Sequence, residues 1–150
     1  MSEFVEVKTE EMVGVVLNWA TFCAVYPGMQ PTIRVTESET RLMFKGAAKP
    51  VTFPRMVRLT YSGAYGFEFD WYPSSDWECG GRLLDEHCKS FGLAQDGTGK
   101  NWRAFAYKGG AAEVQFQRLA AGPSILIAAC RAIVTLHMGD TVSVPKELLA

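Results

Sequence analysis

Apolar residues recur along this chain with two different periods, and the order in which those periods alternate narrows the fold class to α+β. Period-two stretches read as strands at Phe4–Lys8, Thr32–Thr36, Met56–Tyr61, Tyr65–Trp71 and Trp102–Tyr107. The alternation is clearest at Tyr65, Phe67, Phe69 and Trp71, with Gly66, Glu68 and Asp70 between them. Helical spacing appears over Met12–Ala24, with Thr9 as its capping hydroxyl and Glu10 and Glu11 in the first turn. The apolar residues of that stretch run nearly all the way round, which predicts burial. A second helix is predicted over Arg82–Phe91, ended by Gly92, and a third over Ile125–Met138, opened by Gly122-Pro123-Ser124 and ended by Gly139. Arg41–Lys45 is expected to return on Thr32–Thr36 as a hairpin, and residues 46–54 read as loop. Lys108-Gly109-Gly110 is expected to turn Trp102–Tyr107 onto Ala112–Leu119, and Thr141–Pro145 to form a short tail strand. Hairpins between helices predict one domain over residues 1–150. Its antiparallel sheet would have five to seven strands, with two or three helices packed on one face.

With 150 residues, the chain is long enough for a sizeable core without disulfides or metals. Fifteen basic residues stand against 16 acidic, a net charge of −1, which argues against broad nucleic-acid binding. Cys23, Cys79, Cys88 and Cys130 show no Cys-x-x-Cys spacing, so free thiols in a reducing cytoplasm are expected. The N-terminus lacks a signal-peptide pattern, and no apolar run approaches the ~20 residues a bilayer requires.

The chemistry-bearing stretch is Trp71-Tyr72-Pro73-Ser74-Ser75-Asp76-Trp77, followed by Glu78-Cys79-Gly80-Gly81. It reads as a shaped loop between a strand and a helix. Trp71, Tyr72 and Trp77 suit stacking on a planar ligand, and Ser74, Ser75 and Asp76 suit its polar edge. Gly80 and Gly81 before a helix would offer backbone N–H groups to an anion. The competing reading is a capped turn whose tryptophans pack in the core. Arg131, inside an apolar helix, needs a partner: Asp76 or Asp70, an anionic ligand beside the loop, or solvent reached from the helix edge. Asn18 either fixes a neighbouring loop or faces water, and Trp19 beside it joins the ligand-binding candidates. Catalytic and metal templates fail. The serines sit in no Gly-x-Ser-x-Gly elbow, and Gln95–Lys100 lacks phosphate-loop spacing. His87 and His137 have no ligand-spaced partner, so neither a metal nor a cofactor is expected.

Several of these pieces occur together in a recognisable order. They are Val7-Lys8-Thr9, Leu17-Asn18-Trp19-Ala20, Tyr72-Pro73-Ser74-Ser75-Asp76-Trp77 with Gly80-Gly81, Gly122-Pro123-Ser124 with Leu126–Ala132, Gly139-Asp140 and Val144–Leu148. Over residues 5–25 and 71–150 the chain resembles the NinX-type family of small phage and prophage proteins. Family members typically have aspartate where this chain has Asn18, while Asp76 and Trp77 follow the family pattern. Residues 28–69 do not match and are expected to be an atypical set of strands. The resemblance implies a phage origin and an accessory role, and no activity. The expected function is a non-catalytic binder of a nucleotide-like small ligand, such as a host immune signal. The alternatives are a module that binds a host or phage protein, and a hydrolase with an unrecognised site. Homo-oligomer formation is left open.

Overall fold

A computed structural model describes residues 3–93, 101–108 and 116–149. The expected loop at 94–100 and the turn through Gly109 and Gly110 lie outside them. In chain order the elements are β1 (Phe4–Lys8), a 3-10 turn (Thr9–Glu11), α1 (Gly14–Val25), β2 (Thr32–Thr36), β3 (Glu39–Arg41) and β4 (Val51–Phe53). Then come β5 (Met56–Ser62), β6 (Glu68–Asp70), α2 (Trp77–His87), β7 (Cys88–Leu93), β8 (Trp102–Lys108), β9 (Phe116–Gly122), α3 (Ile125–Met138) and β10 (Thr141–Pro145). Among the described residues, no helix is long and apolar enough to cross a membrane.

The fold is α+β with antiparallel pairing throughout. The sheets, however, are small. They are β1-β10, β2-β5-β6, β3-β4 and β7-β8-β9, so the expected sheet of five to seven strands is divided. The core gathers around α3. Leu126, Ala128, Ala129, Cys130, Ala132, Ile133 and Val134 are all buried, so the helix is enclosed on most of its circumference. It packs on β8 and β9, on α1 and on α2, and α1 in turn packs on β5.

Small side chains allow that close packing. Ala104 and Ala106 on β8 are fully buried. A Cβ on Gly122 would lie 2.8 Å from Ile127 Cγ2 and 3.0 Å from the Ala128 nitrogen. The helix and sheet therefore approach more closely than larger residues would permit.

Several local expectations are corrected. The Thr9 hydroxyl does not cap α1. It donates to the Gly139 carbonyl at 2.8 Å, and the Thr9 N–H donates to the Asp140 carbonyl at 2.8 Å. One end of the β1-β10 ribbon, beside the Lys8–Thr141 pair, is thereby closed. The second strand pairs with β5, not with the next strand, and Arg41 belongs to the separate β3-β4 pair. Residues 88–91 form the start of β7, since the helix begins at Trp77 and ends at His87. The aromatic alternation over Tyr65–Trp71 becomes a tight turn at Ala64–Gly66 followed by the three-residue β6. Of its four aromatics only Trp71 is buried, and Tyr65 is 99 % exposed.

Candidate functional site

The stretch after β6 is held in place by α1. Trp71 is buried, and its indole N–H donates to the Asn18 carbonyl at 2.8 Å. The Asn18 side-chain oxygen accepts from the Ser74 N–H at 3.0 Å. One buried asparagine thus grips the loop at two points, which is the loop-fixing reading of Asn18. Phe22 and Tyr61 meet the Trp71 ring edge-on, with centroids 5.2 and 5.8 Å away, and Tyr26 lies at 6.0 Å. Such tilted contacts suit the charge distribution of aromatic rings.

Asp76 caps α2. Its carboxylate accepts from the Cys79 N–H at 3.0 Å, so the helix starts five residues before the expected Arg82. Gly80 and Gly81 consequently lie inside the helix rather than ahead of it. The Gly80 N–H donates to the Asp76 carbonyl at 2.7 Å, and is not offered to an anion. A Cβ on Gly80 would fall 2.0 Å from the Pro73 carbonyl oxygen and 3.1 Å from Leu126 Cδ2. Glycine here lets the first turn of α2 press directly onto the loop backbone.

The loop residues are brought together in space, but they face different ways. Tyr72 and Asp76, with the edge of Trp71, line a cleft of about 570 Å³. Tyr26, Tyr61 and Phe69 complete its aromatic wall, and Asp70, Glu78, Cys79, Arg82 and Glu86 its polar side. Trp77 and Ser74 turn to a second cleft of about 500 Å³, with Trp102 and Pro123–Ile127. Ser75 borders that second cleft and a smaller one beside Asn18 and Val57. The expected stacking of Trp71, Tyr72 and Trp77 on one ligand is therefore not built. Trp19 is sealed in the core, 3 % exposed, and its indole N–H makes no hydrogen bond among the described residues.

Arg131 lies elsewhere. It lines a cleft of about 740 Å³ with Lys8, Thr9, Glu10, Pro123, Thr135 and Asp140, and no residue of that cleft lines the loop cleft. Its Nε donates to the Met12 carbonyl and its Nη1 to the Ala121 carbonyl, both at 2.9 Å. The guanidinium thus ties α3 to the segment before α1 and to β9. Its pKa is lowered by burial, with Glu10 acting in the opposite direction. The expected Asp76 or Asp70 pairing does not form; Asp70 faces Arg58 at 3.5 Å instead.

The loop cleft is electrically negative. Asp70, Asp76, Glu78 and Glu86 line it with one cation, Arg82, and Arg58 pairs with Asp70 from outside the cleft. The Tyr72 phenol shows the effect: its pKa is raised, first by the Asp76 carboxylate, then by desolvation and by Asp70 and Glu78. Burial is the first cause of the raised pKa values of Tyr61 and Cys79. Burial also pushes Cys23 and Cys88 up to about 11 and Cys130 up to about 12. All four thiols hold their protons near neutrality, which makes them weak nucleophiles. His87 and His137 stand edge-on with ring centroids 6.5 Å apart. Among the described residues, no three His, Cys, Asp or Glu side chains gather as metal ligands would.

Tyr26, Tyr61, Phe69, Glu78, Arg82 and Glu86 were not singled out by the sequence. One signal was present. Once Asp76 is taken as the cap, Glu78, Arg82 and Glu86 fall at four-residue spacing, a single stripe along α2.

The sequence matches the family described as Bacteriophage P22, NinX over residues 8–137. The chain belongs to the phage NinX family. The matched range takes in α1, the loop cleft and Arg131, and it also runs across residues 28–69. NinX membership identifies the chain as a phage accessory protein. No curated protein matches it.

Proposed function

We propose that this NinX chain is a non-catalytic binding protein and that the cleft beside Tyr72 is where it binds. One observation carries the reading. The cleft gathers five aromatic residues and four carboxylates, and Tyr72, Phe69, Glu78 and Glu86 are left exposed on it. Concave sites lined by aromatics with a few convergent polar groups are the usual form of a binding site. The proposed setting is the host cytoplasm.

A nucleotide-derived immune signal, as expected from the loop, would need a base stacked on these rings and a phosphate held by a cation. The aromatic wall suits the base. Arg131 lies in the other cleft and is engaged by two backbone carbonyls, while the carboxylates disfavour a phosphate. The geometry therefore favours the alternative of a protein partner.

The test is affinity capture from host lysate together with calorimetry against cyclic and ADP-ribose-type nucleotides, using wild type and Tyr72→Ala. Capture that is lost in Tyr72→Ala supports the reading. Capture indifferent to Tyr72 removes the proposed location, and conversion of a captured ligand to product removes the non-catalytic assignment.

A further inference from the structure

We infer that the cleft beside Tyr72 receives a basic, extended segment of a partner protein, with arginine or lysine side chains lying on its aromatic wall. The inference rests on the binding reading above and adds the chemistry of the ligand.

Charge is the first argument. Four carboxylates against Arg82, with Arg58 paired to Asp70, leave a formal −2 on a cleft whose wall is Tyr26, Tyr61, Phe69, Trp71 and Tyr72. Aromatic faces attract cations, guanidinium groups above all, and neighbouring carboxylates strengthen that attraction in a partly dehydrated site. The protein as a whole carries only −1, so this concentration of negative charge is local.

Spacing is the second. Glu78 and Glu86 lie eight residues apart on α2, about 12 Å along its axis. A single small cation cannot meet both. An extended chain places side chains on one face about 7 Å apart, and about 13 Å between the first and third. Basic residues at the first and third of these positions match Glu78 and Glu86, while the middle position faces Arg82.

Continuity is the third. Two further exposed aromatics precede Phe69 in the chain. Phe67 is 65 % exposed and Tyr65 99 % exposed, at the turn that joins β5 to β6. Tyr65 holds φ +60°, in a region where glycine or asparagine costs less. Gly66 follows at φ +76°, and two consecutive positive angles are what a tight turn between antiparallel strands requires. The Tyr65 ring is left bare and open to a partner chain.

The experiment uses the full-length chain and fluorescence polarisation of a labelled peptide alternating arginine and glycine. A glutamine-for-arginine peptide and free spermidine complete the panel. The arginine peptide is expected to bind, and the glutamine peptide not. Tyr72→Ala is expected to weaken binding about threefold to thirtyfold, the range of one cation–aromatic contact. Glu78→Gln with Glu86→Gln is expected to weaken it at least as much, and added salt to weaken it further. Thermal unfolding midpoints of the variants confirm that they fold. Equal binding of the glutamine peptide, indifference to the glutamate substitutions, or displacement of the peptide by equimolar spermidine would each overturn the inference. If the arginine peptide fails while lysate capture still depends on Tyr72, the inference falls and the binding reading stands. If nothing captured depends on Tyr72, both fall.

Discussion

Two clefts of this protein both contain charged side chains, yet they use them differently. In the cleft beneath α3, Arg131 donates to the Met12 and Ala121 carbonyls, and Thr9 donates to Gly139. Those polar groups close the joints between elements. In the cleft beside Tyr72, Asp76 is occupied as a helix cap, but Glu78, Glu86 and the Tyr72 ring are turned to the solvent side. The lesson is that a polar residue in a concavity points to a ligand only after the backbone groups it must satisfy have been counted.

The sharpest way to break the comparison is at the frame of the loop cleft. Gly80→Ala sets a methyl 2.0 Å from the Pro73 carbonyl, which is backbone and cannot rotate away. It is expected to cost about 3 kcal/mol, read as a lowered urea midpoint. A stability loss near zero would mean that α2 does not press on the loop. Next in size is Arg131→Met, which keeps the apolar stem and removes the fork. Two carbonyls lose a charged donor, and a cost of about 2 kcal/mol is expected in the same measurement. If the variant is as stable as wild type, Arg131 is not a joint and becomes available to a ligand.

How far the sequence foretold these roles depends on the kind of signal. The third helix was legible residue for residue, because a long apolar run between Ser124 and Gly139 has one interpretation. The first strand, β5 and β8 were legible from their period-two alternation. The partners of the strands were not: β2 passes over β3 and β4 to pair with β5, and nothing in local periodicity encodes that choice. The aromatics of Tyr65–Trp71 misled because alternation marks a strand without saying whether either face is covered. In the site, the loop was found and a capped turn, with Asp76 or Ser75 satisfying loop backbone, weighed as the alternative. The helix start was placed too late because Gly80-Gly81 looks like punctuation, whereas here glycine serves close packing. Arg131 was recognised as needing a partner, but backbone carbonyls as that partner leave no trace in sequence.

A smaller effect separates cap from wall. Asp76→Ala removes the acceptor for the Cys79 N–H and is expected to cost about 1 kcal/mol. It should also relieve the Tyr72 phenol, whose raised pKa has Asp76 as its first cause, so the tyrosine absorbance titration should move toward lower pH. A phenol titration unchanged in Asp76→Ala would show that the cleft's negative potential comes from elsewhere.

The smallest stability effect is the most telling. The Tyr72 ring is 44 % exposed, and its backbone carbonyl, not its side chain, accepts from Ser75 and Asp76. Tyr72→Ala keeps that carbonyl and is expected to change stability by less than about 0.5 kcal/mol. Arg131→Met and Tyr72→Ala then form a pair with opposite signatures: one loses stability and keeps binding, the other keeps stability and loses binding. Should Tyr72→Ala unfold the protein as readily as Arg131→Met, the two clefts would be of one kind, and the aromatic wall would belong to the core rather than to a partner.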